Sequence, residues 1–90
     1  MALLDDVKAQ LRITTTDTGI VGEVTDLIAA AEADLQLSGI QVDETDALIK
    51  RAIVVYCKGH FGYNNPDADR FQQSYQLIKS ALRLSADYVV

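Results

Sequence analysis

Between Leu48 and Cys57 the chain reads Leu-Ile-Lys-Arg-Ala-Ile-Val-Val-Tyr-Cys, and a helix built on it is apolar around most of its circumference. Leu48, Ile49, Ala52, Ile53, Tyr56 and Cys57 form one face, and Val54 and Val55 carry apolar character round the cylinder. A helix of this kind has to be enclosed on several sides. In a chain of 90 residues only the remaining segments can enclose it. The β-branched residues invite a strand, but Ala47–His60 is too long and too helically spaced for one. One domain with this helix at its centre is therefore expected, since a chain this short supports a single core.

The flanking segments supply the partners. Leu4, Val7 and Leu11 recur at i, i+3 and i+7, with acids at the start and Lys8 and Arg12 towards the end, as the helix dipole prefers. Thr14-Thr15-Thr16 then interrupts the pattern. Asp17 or Thr18 can cap a second helix whose stripe is Val24, Leu27, Ile28, Ala31 and Leu35, ending at Ser38-Gly39. Asp43 or Thr45 is the expected cap of the central helix. Asn65-Pro66 reads as cap and first turn of a fourth, with Phe71, Tyr75, Ile78 and Leu82 on one face and Leu77, Ala81 and Leu84 beside it. The expectation is an all-α, compact bundle of about four helices, over 3–12, 18–37, 45–61 and 66–84.

Charge is distributed unevenly. The net −5 resolves into −8 over residues 1–46 and +3 over residues 47–90. An acidic first half repels phosphate, which disfavours sequence-specific nucleic-acid binding. The fourth helix opens on Asp67 and Asp69, where a recognition helix would be basic. The longest apolar run, Ala52–Cys57, is six residues, far short of the ~20 that span a bilayer. The start MALLDDVKAQ carries aspartates where a signal peptide is basic, so neither membrane insertion nor secretion is expected. A lone cysteine forms no internal disulfide.

No catalytic constellation emerges, and no metal or cofactor site is expected. His60 is the only histidine. Cys57 pairs with it in sequence but falls on the core face, where burial keeps a thiol protonated and inert. His60 itself is expected to serve the carbonyls at the end of its helix. Asn65-x-Asp67-x-Asp69 resembles the opening of a calcium loop, yet Arg70 stands where glycine is required and Gln76 where the closing glutamate belongs. Gly59 and Gly62 are not followed by the Lys-Ser/Thr of a phosphate loop. What remains is contact chemistry. Ala29, Ala30 and Ala33 give the second helix a smooth outer side, and Lys50 and Arg51 are candidate protomer contacts. Phe61 and Tyr63 in the turn, and Tyr88 in the tail, are apolar groups placed for a partner or to cover the helix ends. These residues also fit a small non-catalytic regulatory or partner-binding helical module.

The wording of the chain narrows this. LLDDVKAQLRI near the start, VTDLIAAAEADLQLSGI, and DALIKRAIVVYCKGHFGYNNPDADRFQQSYQLIKSALRLSADY together run from Leu3 to Tyr88. They resemble small head–tail connector (adaptor, head-completion) proteins of tailed phages and prophages, notably prophages of Gram-positive bacteria. The resemblance implies a structural, non-enzymatic virion protein at the head–tail interface, assembled in the bacterial cytoplasm. It implies a homo-oligomeric ring, twelve-fold in one form, beneath the portal protein, which extends the DNA channel and docks the next neck or tail completion protein. DNA would pass through without being read. Glu23, Asp26, Glu32 and Asp34 are then candidates for an acidic channel face that repels the passing duplex. The acidic and basic halves suit head-to-tail contacts between copies.

Overall fold

The computed structural model describes residues 2–12, 17–61 and 66–89. Four helices follow in chain order: α1 Ala2–Gln10, α2 Thr18–Leu37, α3 Ala47–His60 and α4 Ala68–Arg83. The all-α bundle expected from periodicity is the architecture found. Among the described residues the sole β-pairing is an isolated antiparallel bridge between Ile40 and Val89.

The core is where the apolar periodicity put it. Val24, Ile28, Ala31 and Leu35 of α2 are buried, as are Ile49, Ala52, Ile53 and Cys57 of α3. Val7 joins them from α1, with Leu3 rather than Leu4 as its deep companion. Tyr75 and Leu82 are buried on α4, with Phe71 and Ile78 packed half-buried against the cluster. Four residues placed on or beside the core side lie outside it: Ala81 is exposed, Leu48 is 51% exposed, Leu77 73% and Leu84 89%. On a 100° wheel Leu77 and Leu84 point away from Tyr75 and Leu82, so α4 buries a narrower stripe than its composition offers.

The termini of the helices follow from local chemistry. Asp17 caps α2, its carboxylate accepting from the amides of Gly19 at 2.9 Å and Ile20 at 3.2 Å. At the other end Gly39 takes φ 83°. The Gly39 amide donates to Gln36 O and the Ile40 amide to Leu35 O, both at 3.0 Å, with Ile40 and Leu35 buried together. That is a complete Schellman stop with its apolar contact.

The cap of α3 is Asp46, whose carboxylate accepts from Leu48 at 2.9 Å and Ile49 at 3.2 Å. Neither Asp43 nor Thr45 caps this helix. Asp43 is instead engaged by Thr45, through its amide at 2.9 Å and its hydroxyl at 2.6 Å, forming a local turn one step earlier. These bonds hold the Asp43 carboxyl below its usual range. Pro66 lies in a turn before α4, which starts at Ala68, so it is not the first helical residue; Asn65 is outside the described residues. The end of α1 is less comfortable. Arg12 adopts φ 60°, a left-handed conformation that usually falls to glycine.

α3 is central: α1, α2 and α4 all pack on it. Its approach to α4 is close at Gly59, where a Cβ would lie 3.3 Å from Phe71 Cβ and 3.2 Å from Gln72 Cγ. The C-terminal tail closes the molecule. The Gln41 amide donates to Tyr88 O at 2.7 Å, and the Tyr88 hydroxyl donates to the Asp46 carboxylate at 3.1 Å. Asp46 thus caps α3 and anchors the tail at once.

Candidate interaction surface

Three helices leave one side of α3 uncovered. α1 flanks it through an ion pair between Lys50 and Asp6 at 3.3 Å, and α4 flanks it at Gly59. Ile49 and Ile53, on the side that faces α2, are fully buried. Arg51 and Lys58 lie seven residues apart on the opposite line of the wheel. Here the surface is hollow. One groove between α1 and α3 is lined by Asp6, Ala9, Lys50, Arg51 and Val54. A second between α3 and α4 is lined by Arg51, Val55, Lys58, Phe71 and Leu77. Arg51 stands between them, so the two form one trough with α1 and α4 as walls. Val54 and Val55 make its floor, and its bases are Lys50, Arg51 and Lys58. Lys58 also sits 5.8 Å from the centre of the Phe71 ring. Arg51 is exposed and has no carboxylate partner among the described residues.

The outer side of α2 is its counterpart in charge. Asp26, Ala29, Ala30 and Ala33 are all exposed and lie opposite the buried stripe. Gly22 belongs to the same line, with open space where a Cβ would be. Leu37 ends it at 88% exposure. Asp26, like Arg51, has no ion-pair partner among the described residues.

The four acids proposed for a channel face therefore divide. Glu23 and Asp26 are exposed. Asp34 is spent inside the chain, accepting from the Tyr75 hydroxyl at 2.5 Å and from Lys79 at 3.0 Å. The Tyr75 bond is the main cause of its lowered pKa, with Lys79 adding to it against the opposing effect of burial. The same bond and burial push the Tyr75 hydroxyl up. Glu32 is half-buried, with Oε1 sealed from solvent and no donor to it among the described residues. Burial first, then a hydrogen bond and repulsion from Glu44, raise its pKa from 4.5 to about 7. A carboxylic acid sharing a proton with a carboxylate explains an acid in that position. Asp34 and Glu32 thus face the chain itself.

The remaining contact candidates also divide. Lys50 is paired within the chain, while Arg51 has no ion-pair partner among the described residues. Phe61 folds back, half-buried against the core, and Tyr88 is half-buried and tied to Asp46. Tyr63 lies outside the described residues. His60 stacks on Tyr56 with ring centres 4.3 Å apart. Cys57 is fully buried, and burial pushes its thiol up to about 12. Among the described residues no three metal-ligating side chains converge, and no helix is long and apolar enough to cross a membrane. Sequence reading missed the outward leucines Leu37, Leu77 and Leu84. A wheel referred to Tyr75 and Leu82 alone identifies the last two.

Comparison with curated proteins and with solved structures finds no match to this chain. Comparison with family models finds one described as phage connector protein, which matches residues 3–89. The match takes in all four helices and the tail that returns to Asp46. That family is a structural one whose members interact with other phage head and tail proteins. The chain belongs to the phage head–tail connector family.

Proposed function

We propose that this chain is the protomer of a ring that sits beneath the portal of a filled capsid, continues the DNA channel and presents a docking surface to the next neck or tail protein. The observation that carries the reading is the family match across residues 3–89. The surface supports it, because its features are those of a contact protein. The one cysteine is buried with a raised pKa, and the exposed features are a basic trough, an acidic ridge and outward leucines. On this reading the protein is a non-enzymatic virion component at the head–tail interface, assembled in the host cytoplasm. It binds no specific DNA sequence, and Glu23 adds to an electrostatic environment that keeps passing DNA from sticking.

The test is assembly on the portal. Purified chain mixed with its portal complex should give closed rings on one end of the portal in electron micrographs, and the two should co-sediment. Portal complexes that remain bare at saturating chain would overturn the proposal and favour a free-standing helical binding module.

A further inference from the structure

The trough and the ridge lie on opposite faces of one small wedge. α2 covers one side of α3, and the trough opens on the other. Among the described residues each face is left with one exposed charge that has no ion-pair partner, Asp26 on the ridge and Arg51 in the trough. The ridge is convex and low, because its neighbours along the line are Gly22, Ala30 and Ala33. The trough is concave, walled by α1 and α4 and floored by Val54 and Val55. Shape and charge therefore match between faces that one molecule cannot bring together.

We infer that copies of this chain join by seating the outer side of α2 of one copy, centred on Asp26, in the α3 trough of the next, centred on Arg51. The occupant of the trough is a second copy, because the chain itself carries the complementary surface. The inference rests on the ring-forming connector reading and adds the faces that meet. Such a contact is heterologous. A copy added to the trough offers its own trough outward, so addition continues until the rotation between neighbours closes a ring. In this arrangement Asp26 leaves the channel face and enters the protomer contact. Lys58 and Lys50 stand on α3 beside Arg51, where Lys58 extends the positive field that the incoming acid meets and Lys50 is already paired with Asp6. Charges at the edge of a contact act mainly on recognition and rate, whereas like charges facing each other oppose it strongly.

The experiment uses the full chain in four samples: wild type, D26K, R51E, and an equimolar mixture of the two variants. Both positions are exposed, so the variants should fold, which circular dichroism and thermal unfolding check. Self-association is measured by sedimentation equilibrium, and each sample is also assembled on the portal complex and imaged, so that a chain monomeric on its own is still assayed. Each single reversal should weaken association at least about tenfold and leave portals without closed rings. The mixture should restore association to within about threefold of wild type and rebuild rings. It does so because each variant then finds an opposite charge in the other, alternating round the ring. Rings that form normally from D26K or R51E alone, or a mixture that fails to rescue, overturn this pair of faces while leaving the connector reading intact. Wild type that makes no ring even on the portal overturns both.

Discussion

On the side of α3 that faces α2, Ile49 and Ile53 are buried in one cluster with Val24, Ile28, Ala31 and Leu35, and Asp34, next to Leu35 in the chain, is consumed by Tyr75 and Lys79. On the other side Val54 and Val55 are nearly as well buried, but in a trough whose Arg51 has no ion-pair partner among the described residues. On the first side Asp34 finds its partners within the chain. The second keeps a charge in reserve. A small domain with one helix at its centre has too few elements to close both sides; folding completes the first, and on the proposed reading the second is left for the next copy.

The largest blow to this contrast falls on the closed side. Ile53→Ala should cost about 3 kcal/mol in urea unfolding, a large part of the ~5–15 kcal/mol that holds a domain together. A loss under 1 kcal/mol would mean that the α2 side is not the firm one. Tyr75→Phe removes the donor to Asp34 and should cost about 1.5 kcal/mol at pH 7. Asp34 has a lowered folded pKa, so its contribution is fully present above its ordinary 3.8 and is lost as pH falls through the folded value. The gap between wild type and this variant should therefore hold from pH 7 to 5 and close below about pH 4.

Glu32 has the opposite sign. Its folded pKa of about 7 exceeds the ordinary 4.5, so the stability it contributes is complete below 4.5 and lost as pH rises through 7. Glu32→Gln should gain about 1 kcal/mol over wild type at pH 8 and nothing below pH 4.5. A constant difference across that range would deny the shared proton with Glu44. The smallest effect belongs to the turn that ends α1. Arg12→Gly relieves the left-handed backbone at φ 60° and should raise the unfolding free energy by about 0.7 kcal/mol.

Much of this contrast is legible in the residues. The stripes of α2 and α3 are spaced for a helix, and Gly39 marks its own stop because a left-handed residue after Ser38 favours glycine. The caps are less so. Asp43, Thr45 and Asp46 are all competent, and the choice among them depends on Tyr88, forty-two residues further on, which needs Asp46 where it stands. The fate of the acids on α2 is hidden for the same reason. Asp26 and Asp34 look equivalent in sequence, and only the position of α4 makes Asp34 a partner for Tyr75 and Lys79. Tyr88 and Phe61 carry no local sign that they turn inward. Arg51, by contrast, could be singled out, because it lies opposite Ile49 and Ile53 on the wheel of α3.

The central claim is that the side of α3 left open by folding is closed by the next copy. A reconstruction of the ring assembled on its portal, at a resolution that separates helices, tests this most directly. The account predicts α2 of each protomer lying in the trough between α1 and α4 of its neighbour, with Asp26 facing Arg51. A ring in which the trough opens to solvent or to the channel, and protomers meet through other faces, would contradict it.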